Sequence, residues 1–182
     1  STNAVIANSA GAVTASTTAT QAQADTIAAL AKAVVYNVSG TAAEIVAASA
    51  GARNEAVNIT ITGDATIAQA TTAEDASNSG TVTVGTITDT AAAIAASTNA
   101  VIANSAGAVT ASDNATVAQA TTIDAFAKAV VFAVSDTAEA IAASSSAALD
   151  EATTVTASTT ATQAQADTCL LYTSDAADEE DS

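Results

Sequence analysis

The chain has 182 residues, 19 acidic against 3 basic for a formal net charge of −16, with no His, Met, Trp or Pro and a single Cys. Without imidazole, Ser-His-Asp and Cys-His sites and imidazole metal ligation are excluded. The negative surface repels nucleic-acid phosphate and anionic membrane.

The apolar fraction is 49%, mostly Ala, Val and Ile. Before residue 169, Leu occurs only at Leu30 and Leu149, and aromatics only at Tyr36, Phe126 and Phe132. Such a chain can fill only a thin core in which backbones approach closely. Asp175, Asp178, Glu179, Glu180 and Asp181 sit at the end, leaving residues 1–168 a net charge of −11. The uncharged stretches Ser1 to Ala24 and Thr90 to Ser112 carry too much Asn, Ser, Thr and Gly to read as membrane spans.

In chain order, short β-branched runs alternate with Ala-rich segments. The runs are AVTAS (12–16), AVVYNVS (33–39), VNITIT (57–62), TVTVGTIT (81–88), AVTAS (108–112), AVVFAVS (129–135) and TVTAS (154–158). Val, Ile and Thr bounded by Gly, Asp, Asn and Ser predict strands. The Ala-rich segments are 18–33, 40–52, 64–76, 89–97, 114–129 and 136–152, and they predict helices. Their Asp-Thr and Asn-Ala-Thr openings read as N-caps. The spacing of Ile123, Phe126 and Val130 predicts one inward helical face.

The chain is also internally repetitive. Residues 1–16 recur identically at 97–112, and 13–26 (VTASTTATQAQADT) recur identically at 155–168. AKAVVYNVSGTAAEIVAAS (31–49) is matched more loosely by AKAVVFAVSDTAEAIAAS (127–144). The large period of 96 residues subdivides. VSGTAAEI, ITDTAAAI and VSDTAEAI begin at Val38, Ile87 and Val134, and Gln23, Gln69, Gln119 and Gln165 recur at similar intervals. The unit is therefore about 48 residues, with half-units of about 24, each one strand and one helix.

Strands joined through helices must be parallel. The predicted fold is α/β: a tandem-repeat solenoid of about seven strand-helix coils, with a parallel sheet on one face and short Ala-rich helices on the other. A doubly wound open sheet is the alternative. Val35, Ile45, Ile59, Ile94, Val131 and Ile141 are expected inside, and Thr60, Thr62 and Asp89 in water.

VSDTAEAIAAS, ITDTAAAIAAS, VSGTAAEIVAAS and the Ala-Gln-Ala segments resemble repeats of large bacterial surface and secreted proteins of adhesin-like and haemolysin type. The resemblance covers most of residues 1–168 and implies export, a long array and a spacer or adhesive role at the cell surface or outside the cell. The Gly-Gly-x-Gly-x-Asp calcium repeat is absent. A second resemblance concerns CLLYTSDAADE (169–179), which looks like a translated transposase sequencing adapter. The repeat also ceases to match after Thr168, so residues 169–182 are expected to be non-native, and Ser1 to lie inside a repeat of a longer protein.

No residue is assigned a catalytic, cofactor or metal role, and an enzyme is not expected. The Gly residues are scattered, with no Walker or dinucleotide pattern. Cys169 is the sole thiol. Glu74–Asp75 and Asp150–Glu151 read as solvated acids. Gly40, Asp89 and Asp136 share one repeat position and Asp64 and Asp113 another. Rows of such acids could bind calcium, while the plain reading is helix capping. Thr60/Thr62, Thr81/Thr83, Thr14/Ser16 and Thr156/Ser158 could form ice-binding rows, while the plain reading is a wet sheet face. The expected function is a structural or adhesive repeat segment (a stalk or spacer) of a large exported bacterial protein, contacting neighbouring repeats and an unknown surface or matrix ligand. The alternative is a ligand-binding solenoid module, for calcium or ice.

Overall fold

The structure is a computed structural model that describes residues 6–144 and 146–168, so the expectations for 169–182 lie outside the described residues. These residues form two compact units. Unit 1 runs up to Thr88 and takes in Ala100–Ala108; unit 2 comprises Asp89–Asn99 and the residues from Val109.

In unit 1, β1 (Val13–Thr14) leads to α1 (Gln21–Ala28), then β2 (Val34–Val35), β3 (Val38–Gly40), α2 (Ala42–Ala47), α3 (Ala50–Glu55), β4 (Ile59–Ala65), α4 (Ile67–Glu74) and β5 (Val82–Asp89). Val13 pairs with Val34, Val38 with Ile59, and Ile59 with Val82, all in parallel. Unit 2 begins with α5 (Ala91–Ala95), and α6 (Asn99–Ala103) carries the chain back into unit 1. From Val109 follow β6 (Val109–Ala111), α7 (Val117–Asp124), β7 (Val130–Val131), β8 (Val134–Asp136), α8 (Ala138–Ala143), α9 (Ser146–Asp150) and β9 (Val155–Ala157). β6 pairs with β7 and β8 with β9, again in parallel. The protein is thus mixed α/β with parallel sheets, and within each unit paired strands are sequence neighbours.

Each expected strand run holds a strand, but two are split. Tyr36 and Asn37 separate β2 from β3; Phe132 and Ala133 separate β7 from β8. The reason is a change of partner. β2 follows β1, while Val38 bridges to Ala19 and then to Ile59; likewise Val134 bridges to Ala115.

The helical segments are of two kinds rather than one per half-unit. α1, α4 and α7 are single helices of 8 residues. α2–α3, α5–α6 and α8–α9 are pairs of short helices. After α2, Ala48 turns extended and Ser49 starts a new helix by accepting the Ala52 N–H on its hydroxyl. The unit of about 48 residues therefore joins two unlike halves, and paired positions lie 21 to 23 residues apart, closer than the expected 24.

Thr supplies the N-caps at Thr20, Thr41, Thr66, Thr90, Thr116 and Thr137. At Thr20, Thr66 and Thr116 the cap is reciprocal: Gln23, Gln69 and Gln119 return a side-chain oxygen to the cap N–H. That is the role of the recurring Gln. Phe126 does not share a helical face with Ile123, because α7 ends at Asp124.

The core is a layer of β-branched side chains and Ala. Ile45, Ile59 and Ile94 are fully buried and Ile141 nearly so, as expected. Thr62 is exposed, and Thr60 and Asp89 are partly so. Val35 and Val131, expected inside, are 47% and 48% exposed. Val34, Tyr36 and Val38 point in instead, as do Val130, Phe132 and Val134. Alternation permits one parity only, and burying an aromatic with two Val outweighs burying the remaining Val.

One bend in unit 1 depends on glycine. β4 carries an extra residue between Ile61 and Asp64, where Gly63 takes φ +81. A Cβ on Gly85 would stand 2.4 Å from the Gly63 carbonyl oxygen, and one on Gly107 would stand 2.8 Å from that of Gly85. This column closes only without side chains.

Candidate functional site

The polar side chains fall into two systems, one on the open sheet face and one at the helix ends. On the sheet face of unit 1, Ser39, Thr60 and Thr83 share a row. Beside it runs Asn37–Asn58–Thr81. Asn37 Oδ1 accepts the Asn58 backbone N–H at 3.1 Å and its Nδ2 at 3.0 Å; Asn58 Oδ1 accepts the Thr81 N–H at 2.9 Å. Elsewhere Val faces Thr: Thr14 aligns with Val35, and in unit 2 Thr110 aligns with Val131. Thr156 aligns with Ser135. The hydroxyl rows considered for ice are therefore short and interrupted by valine.

At the helix ends, carboxylates hold backbone of the adjacent half-repeat. Asp113 accepts the Ala91 N–H at 2.6 Å, and Asp136 accepts those of Val117 at 3.0 Å and Thr137 at 2.8 Å. Asp89 accepts the Thr90 N–H, and Asp64 accepts the Thr86 hydroxyl. In unit 1, Asp25 accepts the Ser49 N–H at 2.8 Å across 24 positions. That N–H, with the Ser49 hydroxyl next, holds the Asp25 carboxyl below its usual range. Of the acids read as caps, none is the cap residue itself. Thr occupies that place. Asp113 and Asp136 take the first-turn N–H groups of Ala91 and Val117, Asp89 and Asp136 take the N–H groups of the cap residues Thr90 and Thr137, and Asp64 takes a hydroxyl instead.

Neither adjacent pair of acids forms an acid–base couple. Glu74 accepts the Asn104 amide at 2.6 Å, while Asp75 is the C-cap of α4. Asp150 ends α9, and Glu151 borders a cleft of about 250 Å³ that includes Lys128 and Phe132. A larger open cleft in unit 1, about 560 Å³, is lined by Ser16, Thr17, Gln23 and Thr26 among Ala and Ile, with no titratable group. Among the described residues, no group of three or more His, Cys, Asp or Glu is placed to hold a metal, and no helix is long and apolar enough to cross a membrane. Cys169 lies outside the described residues.

Two further groups matter. Arg53 donates to the Val46 carbonyl at 3.0 Å and to the Ile45 and Ala48 carbonyls, closing the C-terminal end of α2 with positive charge. The Tyr36 hydroxyl, buried, donates to the Ala52 carbonyl at 2.7 Å. Burial first, then the Glu55 and Asp25 charges, pushes its pKa up to about 12. Sequence reading missed this bond; the single Tyr among the Ala, Val and Ile of residues 1–168 was the available signal.

Comparison with protein-family models, with curated proteins and with solved structures finds no match.

Proposed function

We propose that the chain is a structural repeat segment, a stalk or spacer of a large exported bacterial protein, built as a solenoid of stacked coils. The observation that carries this reading is where the polar groups go. Asp25, Asn37, Asn58, Glu74, Asp113 and Asp136 each bind a half-repeat 19 to 30 residues away. Such side chains make the interface between neighbours the unit of stability, the energetic pattern of a one-dimensional array. Turn carboxylates already occupied by N–H groups are poorly disposed to collect calcium, which favours the spacer over the calcium-binding module. The resemblance to adhesin-like repeats supports export and a place at the cell surface.

The test is length. Concatenated copies of one 48-residue unit should lengthen in small-angle scattering by about 10 Å per added unit, two strand spacings, at constant cross-section. Growth in all dimensions together would refute the solenoid. The spacer reading predicts in addition that replacing the segment in its parent protein with an unrelated rod of equal length preserves function; loss of function would point to a ligand.

A further inference from the structure

We propose that a cleft on the sheet face of unit 1, at the break between β2 and β3, binds a neutral glycan chain laid flat across the strands. The inference goes beyond the spacer reading and does not depend on it.

The break itself makes the cleft. Thr14 aligns with Val35, and Ala19 bridges to Val38. Between those two pairs one chain advances five residues and its neighbour three. The surplus leaves the ladder as Ser16-Thr17-Thr18, all exposed. Backbone bonds hold both ends of this excursion: Ala15 N–H donates to the Val35 carbonyl at 2.9 Å, and Ala19 N–H to the Asn37 carbonyl at 2.8 Å. Between it and the next two strands lies a cleft of about 310 Å³, bordered by Thr14, Ser16, Thr17, Val35, Asn37 and Asn58.

Its groups suit a ligand without charge. Asn37 Oδ1 accepts the Asn58 backbone N–H at 3.1 Å and the Asn58 side-chain amide at 3.0 Å. A backbone N–H can face only an oxygen, so the Asn37 amide has one orientation. Its Nδ2 is turned away from Asn58 and donates to no group among the described residues. The hydroxyls of Thr14, Ser16 and Thr17 are likewise unengaged among the described residues. Val35, 47% exposed, adds a patch of methyls. The one titratable residue on the border, Tyr36, directs its hydroxyl inward to the Ala52 carbonyl. A fixed amide donor, hydroxyls that give and accept, and an apolar patch complement a pyranose, with hydroxyls at its rim and C–H bonds on its face. The net charge of −11 on residues 1–168 turns away uronate and sulfated chains. A peptide would gain its affinity from an unpaired strand edge, which a sheet face does not offer.

Unit 2 supplies an internal control. Its version keeps Thr110, Ser112 and Val131 at the matching positions, and Val131 is 48% exposed. Ala133, however, stands in place of Asn37, Thr154 in place of Asn58, and Asp113 in place of Thr17. The oriented amide donor is gone and a carboxylate is added, so the site belongs to unit 1.

Titration of the isotope-labelled full chain with cellohexaose and chitohexaose, both neutral and ribbon-like, tests this by NMR. At least one should shift the Asn37 side-chain NH2 and the Val35 amide, saturating with a Kd of about 1 mM, and leave Val131 and Ala133 unmoved. Hexagalacturonate, equally long but charged, should bind at least about tenfold more weakly. Asn37→Ala should weaken binding roughly tenfold. That change also releases Asn58, so a second variant, Thr14→Val with Ser16→Ala, removes hydroxyls that bond nothing in the fold. It should weaken binding severalfold without moving the thermal midpoint. No shift with either neutral hexamer at about 10 mM, equal shifts at Val35 and Val131, hexagalacturonate binding as tightly as the neutral hexamers, or binding unaltered by both variants would each overturn the proposal.

Discussion

Residues 31–49 of unit 1 and 127–144 of unit 2 are two versions of one half-repeat, and they solve the same packing problem with different polar groups. Tyr36 and Phe132 are each 2% exposed. Tyr36 brings a hydroxyl that satisfies the Ala52 carbonyl; Phe132 brings none. Asn37 builds a ladder to Asn58, whereas Ala133 has no side-chain amide to offer. Gly40 stands where a Cβ would meet the Glu44 carboxylate at 2.9 Å. In unit 2 that position is Asp136, tolerated because residue 140, matching Glu44, is Ala. Apolar volume is what the repeat conserves between its versions; hydrogen bonds are reassigned around it.

The largest expected effect tests the shared part. Tyr36→Ala and Phe132→Ala should each cost about 3–5 kcal/mol in denaturant unfolding, because both open a cavity in a thin core. A small loss at either site would break the equivalence. Removing only what differs should cost less. Tyr36→Phe leaves the buried Ala52 carbonyl without its donor, for about 1–2 kcal/mol, and Asp136→Ala, which frees the N–H groups of Val117 and Thr137, should cost about 1–2 kcal/mol.

pH separates the two versions further. The Tyr36 hydroxyl titrates higher folded, about 12, than unfolded, about 10. Its contribution is full below pH 10 and is lost as pH rises toward 12. A melting series should show a steeper alkaline decline in the unmodified chain than in Tyr36→Phe. Glu44 has the reverse sign. Its carboxyl is held low by the Thr41 backbone N–H, then by the Thr41 hydroxyl, so its contribution fades as pH falls through the carboxylate range. Glu44→Gln should flatten that acid limb. The smallest effect is expected from Gly40→Asp, which sets a carboxylate beside Glu44. Its modest drop in midpoint should vanish in the double variant with Glu44→Ala.

The sequence carried the strand positions and parallel pairing because β-branched runs and repeat spacing report directly on who neighbours whom. It carried Thr-led helix starts for the same local reason. It misled at Val35 and Val131, where two adjacent Val compete for one inward face and the winner is decided by an aromatic further along. It also hid the split of α2 from α3, since Ser49 within Ala-rich sequence looks like continuous helix until Ala48 turns extended. The carboxylate bonds of Asp25, Asp113 and Asp136 join residues about 20 positions apart, and no local pattern announces them.

The alternation of single-helix and paired-helix halves bears on how such a gene can change length. Recombination between repeats that adds or removes a whole unit of about 48 residues returns every half to a neighbour of the other kind. A crossover that shifts by one half sets like against like: an Asp25 would face a half without Ser49, and an Asn37 a half without Asn58. Such a product folds with a fault at the junction, and selection against unfolded chains would purge it. Inheritance should therefore count these repeats in pairs, and allelic length differences should fall on even numbers of halves.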